Sequence, residues 1–320
     1  MKKKLCLISL LLISVILGGC KPSKPTVAVT SYPLAYLVER IGGDYVSVHT
    51  MSEDALIQRA GIASDYTEIL EDSEVLFYIS GLEPYMELYL DDIRASKITM
   101  IDLSSISAIN QFKRYPSTIV NGEVVTGNAT PYYEGDAFTS LDVYEKDPIL
   151  WIDPISMSSM GSTISEYLCS KYPEYAKIFK KNFAQLENDL ARLDADYQSI
   201  KDEKKSIAFV SLTPSFGNWQ KSYGINVYPV CLSRYGALPS EAQLSAIEMM
   251  IQNNGVRYIV KEENLPEDML ALHDRLVNDV GLISVEMSNL SSLSEKEKAS
   301  NMDYLAIMYQ NLKILENIAE

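Results

Sequence analysis

Side chains that bind transition metals or act in catalysis are few in this sequence, which has two histidines and four cysteines in 320 residues. His49 and His273 lie far apart and match no metal-ligand spacing. The sequence contains no HExxH pair, no nucleophile elbow, and no serine, histidine and aspartate set with usable spacing. Only a carboxylate or a tyrosine remains as a catalytic group, so the pattern disfavours an enzyme.

Cys20 is the cysteine whose surroundings indicate a chemical role. It follows a basic start, an apolar run from Leu5 to Leu17 and two glycines, which resembles a lipobox that is cut before an acylated cysteine. The run is short for a bilayer span, and a retained transmembrane anchor is the alternative. The sequence therefore predicts a signal peptide over 1–19 and a lipidated cysteine with a tether over 20–25. The lipid would anchor an extracytoplasmic chain to the outer face of the cytoplasmic membrane.

The remaining cysteines and the overall charge narrow the class of partners. Cys6 leaves with the signal, so Cys169 and Cys231 remain, either as a disulfide or as two buried thiols. The formal net charge of −15 becomes about −18 without the three lysines of the signal. Such a surface repels nucleic acid, which excludes nucleic-acid binding proteins, and otherwise keeps the chain soluble. We expect a monomer.

Strands and helices alternate along the chain. A β-branched strand over Thr26–Thr30 precedes a helix that opens at Pro33 and ends at Gly42-Gly43, and further strands follow. This rhythm predicts a mainly parallel sheet. It restarts after the longest helical pattern, which begins at Pro173 and has a one-sided apolar stripe.

The fold class that follows is α/β. Two α/β lobes with mainly parallel sheets are joined by one long rigid helix, and the ligand cleft lies between the lobes. The boundaries predicted are 26–170 for the N-terminal lobe, 171–204 for the linking helix and 205–320 for the C-terminal lobe.

Three local patterns lie within the first lobe. Asn121-Gly122 stands between two β-branched runs in Ser117–Gly127, which predicts a hairpin. The stretch from Tyr132 to Glu145 is polar, aromatic and aperiodic, and predicts a mobile loop. Asp153-Pro154 is typical of a helix N-cap with a first-turn proline.

Five short segments of the mature chain match the order of motifs in a known family. They are Ser31-Tyr32-Pro33-Leu34 with Ile41-Gly42-Gly43-Asp44, Gly81-Leu82-Glu83-Pro84-Tyr85, Asp147-Pro148-Ile149-Leu150-Trp151-Ile152-Asp153-Pro154, Ser215-Phe216-Gly217-Asn218-Trp219 with Tyr223-Gly224, and Asp303-Tyr304-Leu305 with Met308, Asn311 and Leu312. Together they resemble the metal-type substrate-binding lipoproteins of ABC transporters, which deliver zinc or manganese. The resemblance implies a rigid helix between two lobes and an ABC transporter permease as partner.

The resemblance also implies a metal held by four side chains, either three histidines and a carboxylate or two of each. The four positions fall at Ile57, Ile149, Thr213 and Ser288. None of these side chains is a good metal ligand, because isoleucine has no donor atom and a neutral hydroxyl binds metal weakly. The stretch before Asp147, where the family often carries a His-rich loop, holds no histidine.

The remaining histidines and several carboxylates are the alternative donors for a metal. His49 alternates with inward-facing valines and His273 lies beside an apolar helix stripe, so both are predicted to be surface residues. A rebuilt site would need oxygen donors, which suit a hard cation better than zinc. The candidates are Asp147, Asp153, Glu262, Glu286 and the acidic loop. Simpler interpretations are an N-cap for Asp153 and a solvated strand end for Glu262.

Two functional hypotheses follow. The first is an extracytoplasmic solute-binding lipoprotein of an ABC-type metal-ion uptake system, with a degenerate metal site and with zinc or manganese as the implied divalent ligand. The second is a lipoprotein that kept the fold, lost metal binding, and holds another ligand or acts in adhesion through a partner protein. Ile57 and Ile149 would then give the cleft an apolar floor, near many tyrosines.

Overall fold

The first lobe is built around a four-stranded parallel sheet. The computed structural model describes residues 24–52, 56–106, 112, 117–120, 123–126, 133–203 and 206–319. The sheet has the order β2-β1-β3-β4 and is made of β1 (Thr26–Val29), β2 (Ser47–Thr50), β3 (Val75–Tyr78) and β4 (Thr99–Asp102). Val27 and Val29 of β1 and Val75 and Phe77 of β3 are fully buried, as expected for parallel strands covered on both faces.

Helices connect these strands and cover the sheet. They are α1 (Tyr32–Gly42), α2 (Tyr66–Asp72), α3 (Pro84–Leu88), α4 (Leu90–Ala95) and α5 (Pro154–Lys171). Gly42 permits the turn from α1 into β2, because a Cβ atom there would lie 2.7 Å from Val46. Asp153 caps α5 by accepting a hydrogen bond from the Ser156 backbone at 2.9 Å, which confirms the predicted N-cap.

The second lobe repeats the topology of the first. Its strands are β7 (Ala208–Ser211), β8 (Asn226–Pro229), β9 (Tyr258–Glu262) and β10 (Ile283–Met287), and all pairs are parallel in the order β10-β9-β7-β8. In each lobe, the first strand therefore lies between the second and the third. The helices are α7 (Gly217–Tyr223), α8 (Glu241–Asn253), α9 (Glu267–Val280), α10 (Glu295–Ala299) and α11 (Tyr304–Ile318).

One long helix, α6 (Ala176–Asp202), contacts both lobes. Its 27 residues span about 40 Å. The buried stripe consists of Phe179, Leu186, Leu190, Leu193, Tyr197 and Ile200. The helix begins after a turn at Pro173–Tyr175 rather than at Pro173 itself. It packs on α1 and α5 of the first lobe and on α7 and α11 of the second, which is the arrangement of the predicted fold class.

The hairpin is present, whereas the following stretch differs from its prediction. Strands β5 (Ser117–Val120) and β6 (Glu123–Thr126) pair antiparallel, and Asn121-Gly122 lies outside the described residues. The described part of the predicted mobile loop packs its aromatic side chains against the apolar core of the second lobe. Tyr133, Phe138 and Tyr144 are buried there together with Phe112. Burial of these rings outweighs the polar composition of the segment, so this part of the loop is a packed bridge.

The predicted signal peptide and Cys20 lie outside the described residues. Among the helices that the structure describes, none is long and apolar enough to cross a membrane. Cys169 and Cys231 are both free thiols, so the disulfide alternative is wrong. Burial raises the pKa of the Cys231 thiol to about 12, which leaves it protonated and inert.

Candidate ligand cleft between the lobes

Ile57 and Ile149 lie in the apolar cluster that both lobes share. Ile57 opens a short 3₁₀ turn over Ile57–Arg59, and Ile149 precedes α5 in the Asp147–Pro154 segment. Both side chains are buried in the same cluster of residues. The Asn218 amide of α7 donates to the Ile149 carbonyl at 2.7 Å, which fixes this segment against the second lobe. Both side chains therefore pack in the apolar core, and neither supplies an atom that could bind a metal.

Thr213 is occupied by a hydrogen-bond network within the second lobe. The Glu262 carboxylate, at the end of β9, accepts from the Thr213 backbone at 2.9 Å and from the Thr213 hydroxyl at 2.5 Å. The Asn289 amide donates to the same carboxylate at 2.7 Å. Burial raises the pKa of Glu262, and the three donors oppose that effect. Glu262 is thus fully buried, which corrects its interpretation as a solvated strand end.

Ser288 is held by a second set of hydrogen bonds. Its backbone N–H donates to the Asn311 side chain at 3.1 Å, and the Asn311 amide returns a bond to the Ser288 carbonyl at 2.8 Å. The Ser288 hydroxyl accepts from the Leu290 backbone at 3.3 Å. The hydroxyl therefore supports the loop after β10.

The proposed oxygen donors are not brought together. The Asp147 carboxylate is buried and accepts from the Ile149 backbone at 3.2 Å, while Asp153 is bonded to Ser156 and to the Ser222 hydroxyl. Glu286 is exposed on the edge strand β10 and lies 3.5 Å from Lys296. In the described part of the chain, no group of three or more histidine, cysteine or carboxylate side chains is arranged to hold a metal ion.

The two histidines have different environments. His49 is exposed, as predicted. His273 is only 2 % exposed, so its placement at the surface was wrong. The ring contacts Asp274 through Nδ1 and the Ser284 hydroxyl through Nε2, each at 3.0 Å. This aspartate, histidine and serine series was missed from the sequence. It lies near the amino end of the edge strand β10, whereas the cleft lies beyond the carboxyl ends of the strands.

A buried carboxylate without partners lies on the first-lobe side of the cleft. Glu83 follows β3 and is 2 % exposed, and neither of its oxygens has a hydrogen-bond partner among the residues that the structure describes. Burial raises the pKa of Glu83 to about 8. The Thr30 hydroxyl and both side-chain polar atoms of Gln58 are also buried and unpartnered. A sequence signal did exist, because Glu83 follows the carboxyl end of a parallel strand, where ligand sites gather.

Two arginines join the lobes across the cleft. Arg59 of the first lobe contacts Asp268 of α9 and donates to the Gly236 carbonyl of the second lobe. Arg234 of the second lobe contacts Glu87 of α3 at 2.8 Å and Asp142 at 3.1 Å. These ion pairs and the aromatic bridge connect the two lobes.

Among the described residues, two cavities lie beside this contact. The first measures about 260 Å³ and lies between the lobes, with Tyr32, Glu39 and Ile57 on one side and Ser291 and Lys298 on the other. The second measures about 620 Å³ and is more open. It is bordered by Gly81, Asp102, Tyr144, Lys146 and Arg234.

Comparison with known sequences gives one consistent result. Residues 27–318 match the model of a family described as "Zinc-uptake complex component A periplasmic". The "Zinc-binding lipoprotein AdcA" of Streptococcus pneumoniae serotype 4 is 24 % identical over 330 residues, covering 99 % of this chain and 61 % of that protein. The "Zinc-binding protein AdcA" of Streptococcus pyogenes serotype M1 is 30 % identical over 169 residues, covering 53 % of this chain and 32 % of the relative. The chain thus spans about a third to three fifths of the length of these relatives.

Solved structures share the fold. Zn(II)-bound AdcA from Streptococcus pneumoniae has a TM-score of 0.69 at 21 % identity, covering 92 % of this chain and 58 % of that one. The laminin-binding protein Lmb of Streptococcus agalactiae has a TM-score of 0.70 at 19 % identity, covering 92 % of this chain and 99 % of that one. Since the family model covers nearly all of the folded chain, the chain belongs to the family of zinc-uptake complex component A proteins.

Proposed function

We propose that the chain is the solute-binding component of an ABC-type metal-ion uptake system. The observation that carries this proposal is the family match over residues 27–318, which includes both lobes, the linking helix and the cleft. Two lobes around a cleft suit a protein that captures a small solute and presents it to a membrane partner. The partner in this proposal is an ABC transporter permease.

The proposed location is the outer face of the cytoplasmic membrane. Support comes from the export signal predicted for residues 1–19 and from Cys20, whose thiol would carry the lipid. One pneumococcal relative is named a lipoprotein. The tether of residues 20–25 would then keep the cleft close to the permease.

The proposed cargo site departs from the zinc or manganese site that the family resemblance implies. Ile57 and Ile149 belong to the apolar core, and the hydroxyls of Thr213 and Ser288 are engaged in hydrogen bonds. Nitrogen, sulfur or carboxylate donors at about 2 Å are what zinc requires. The four positions therefore favour a chain that has lost the family's transition-metal site.

A binding role, rather than an enzymatic one, is part of the same proposal. The Asp274, His273 and Ser284 series has the residue types of a hydrolase site. However, it lies at the opposite end of the sheet from the cleft, and its histidine is buried. A catalytic triad needs a substrate-binding position beside its serine and hydrogen-bond donors for an oxyanion. Neither cavity described above is lined by Ser284, His273 or Asp274.

A non-metal ligand or a protein partner is the second candidate. The cavity of about 260 Å³ between the lobes favours it, because its lining combines the Tyr32 ring with Glu39, Lys298 and several serines. Such a lining suits a small organic solute with both charges. Adhesion through a partner protein belongs to the same alternative.

The uptake role is tested by deleting the gene and measuring the cellular content of zinc, manganese, iron, calcium and magnesium. A lower content of at least one of these metals, restored by the wild-type gene and not by a version with Cys20→Ala, is the expected result. An unchanged content of all five metals in the deletion strain would contradict the uptake role.

The substituted site is tested on the full chain, purified in detergent and stripped with chelator. Zinc and manganese are added separately, and the melting temperature is followed, because a ligand that binds only the folded chain raises it. Little shift with zinc is expected. A large shift with one tightly held zinc per chain would contradict the loss of the site.

A further inference from the structure

The smaller cavity of the cleft has the size and the place of a binding site for a small organic solute. Its volume of about 260 Å³ is well above that of a single ion or water molecule, since one water occupies about 30 Å³ of the liquid. It is also slightly below the range of roughly 300–1,000 Å³ for pockets that take drug-sized ligands. Such pockets form preferentially where domains meet, and this cavity is lined by both lobes.

One face of α1 and the residues after β2 form the first-lobe wall of the cavity. Tyr32, Ala35 and Glu39 occupy positions i, i+3 and i+7 of α1, so they lie on the same face of the helix. Ser52 follows the carboxyl end of β2, and Ile57 opens the next 3₁₀ turn. This wall therefore combines a carboxylate, two hydroxyls and two apolar side chains.

The polar groups of the first-lobe wall can accept hydrogen bonds. The Glu39 carboxylate has no side-chain hydrogen bond or ion pair with the described residues, and partial burial raises its pKa. The Tyr32 hydroxyl has no hydrogen-bond partner there either, and burial and the nearby carboxylates of Asp303 and Glu39 raise its pKa. The Ser52 hydroxyl donates to the Thr30 carbonyl at 2.8 Å, so its oxygen can still accept. This wall suits a positively charged group with several N–H donors.

The basic residue next to Glu39 does not balance its charge. Arg40 is paired with Asp189 at 2.9 Å and with Asp303 at 3.9 Å. Successive residues of a helix project about 100° apart, so Arg40 leaves the face of α1 that lines the cavity. The negative charge of Glu39 is therefore available to a ligand.

The second-lobe wall presents hydrogen-bond donors and a positive charge. Lys298 of α10 lines the cavity, and its ammonium group, which contacts Glu295 at 3.2 Å, carries three N–H donors. The Ser292 hydroxyl accepts from the Asn264 amide at 2.7 Å, so its own proton can be donated to another acceptor. This wall suits a carboxylate, which accepts from both groups.

The two walls thus differ in charge, and apolar side chains complete the lining. Ala35 and Ile57 belong to the first lobe and Leu293 to the second. A ligand that complements all of these parts carries an ammonium group, a carboxylate and a short apolar group. An α-amino acid combines the three in a molecule small enough for this cavity.

We propose that the cavity binds a small zwitterion of the amino-acid class, with its ammonium group on Glu39 and the Tyr32 hydroxyl and its carboxylate on Lys298 and the Ser292 hydroxyl. The ligand then connects the lobes, because each of its charges is bound by a different one. Ile57, which cannot bind a metal, serves as an apolar part of the wall. The inference rests on the proposed solute-binding role, and it names the class of solute for the second candidate of that proposal.

The test uses the full chain in detergent, dialysed free of small solutes and kept in chelator so that metal ions do not contribute. Every standard L-amino acid is added separately, and so are putrescine, a diamine, and succinate, a dicarboxylate. Binding is measured by the shift in melting temperature and by calorimetry. The amide and the N-acetyl derivative of the tightest-binding amino acid follow, since the first lacks the carboxylate and the second lacks the ammonium group.

The variants Glu39→Gln and Lys298→Met each remove one charge of the cavity and keep the length of the side chain. Lys296→Met is the matched control for the lysine, because Lys296 lies on the same helix, α10, and does not line the cavity. Glu187→Gln, which removes an exposed carboxylate of α6, is the control for the glutamate. Circular dichroism establishes that each variant is folded before binding is compared.

We expect one equivalent of at least one amino acid to bind per chain. The affinity should fall about tenfold or more in Glu39→Gln and in Lys298→Met and stay unchanged in the two controls. The amide should bind the wild type and Lys298→Met equally, and the N-acetyl derivative should bind the wild type and Glu39→Gln equally. Each derivative already lacks the group that the removed charge would bind.

No binding of any amino acid by the wild-type chain would overturn the proposal, as would an unchanged affinity in both cavity variants. Tighter binding of putrescine or succinate than of every amino acid would also overturn it and would assign the cavity to another class of solute. The metal content of the deletion strain separates these failures from a failure of the uptake role. A metal content that depends on the gene would support the uptake role even if no amino acid binds.

Discussion

Arg59 of the first lobe donates two hydrogen bonds to the Asp268 carboxylate of the second lobe, both at 2.9 Å. The same guanidinium donates to the Gly236 carbonyl at 2.9 Å and 2.6 Å. Gly236 has a positive φ of 66°, and a Cβ atom there would lie 3.0 Å from the Arg59 side chain. Arg59 therefore links the two lobes across the cleft, because its guanidinium binds both a carboxylate and a backbone carbonyl of the second lobe.

The first prediction is that Arg59→Ala opens the cleft with little loss of stability. The Arg59 and Asp268 side chains are 29 % and 45 % exposed, so the pair contributes about 1 kcal/mol or less to the free energy of unfolding. We expect a larger radius of gyration by small-angle X-ray scattering and faster proteolysis near the lobe contact. The control is Arg275→Ala, which breaks a similar two-bond pair with Glu241 inside the second lobe. An identical scattering curve for Arg59→Ala and wild type would contradict the prediction.

The second prediction concerns the pH dependence of the chelated, cation-free chain. Glu83 has a pKa of about 8 in the folded chain and an ordinary value of 4.5 when unfolded. Below pH 4.5 both states bind the proton. Between pH 4.5 and 8 only the folded chain binds it, so the free energy of unfolding falls as pH rises, by up to about 1.4 kcal/mol per pH unit. Tyr85 and Tyr144, which face this carboxyl group, keep their protons because burial raises their pKa values.

Urea unfolding at pH 5 and pH 8 measures this slope. The Glu83→Gln variant lacks the titrating group, so its stability should change less between the two pH values than that of the wild type. The same slope in both chains would assign the pH dependence to other carboxylates.

Much of the architecture follows from local sequence patterns. Alternating strands and helices predicted two parallel α/β lobes, and the stripe from Phe179 to Ile200 predicted the helix between them. These patterns succeed because burial of one face fixes each element independently of the rest of the fold. The shared strand order of the two lobes was not predictable, since β7–β10 resemble β1–β4 in style but not in residues.

The site was less predictable because its features depend on contacts between distant segments. In the sequence, Glu83 stands out only as part of the Gly81–Tyr85 motif. Its burial beside Thr30, which is far away in sequence, is visible only in the folded chain. His273 was misplaced for a local reason. It lies four residues after Met269 and therefore on the buried face of α9, although its polarity suggested the surface.

The third prediction tests whether Ile57 and Ile149 occupy adjacent metal positions. The double variant Ile57→His with Ile149→His buries two imidazoles in the core, so it should be less stable than wild type by about 2 kcal/mol or more without metal. Zinc should raise its melting temperature, because two histidines at one site bind zinc. Ile149→Leu is the control and should not respond. No zinc response in a folded double variant would mean that these positions do not face each other.

The fourth prediction concerns the Glu262 network. Thr213→Val removes the hydroxyl that donates to this buried carboxylate and keeps the side-chain shape. The loss should cost about 1–3 kcal/mol, because a buried carboxyl group loses one of its hydrogen-bond partners. Thr213→Ser keeps the hydroxyl and is the control, with a smaller cost. Chemical denaturation gives both values, and equal stability of Thr213→Val and wild type would mean that the Asn289 amide and the backbone donor are sufficient.

The fifth prediction concerns the anchor. If Cys20 carries the lipid, Cys20→Ala leaves no thiol for acylation, and the chain should move from the membrane fraction to the soluble fraction of cell extracts. Acylation buries many methylene groups in the bilayer, and each contributes about 0.8 kcal/mol.

Cys169→Ala removes a half-buried thiol of the folded chain and serves as the control, with membrane association retained. Mass spectrometry of the wild-type N-terminal peptide should show the lipid on Cys20. A Cys20→Ala chain that stays in the membrane fraction would favour the retained transmembrane anchor, because the apolar run from Leu5 to Leu17 would then hold the chain without lipid.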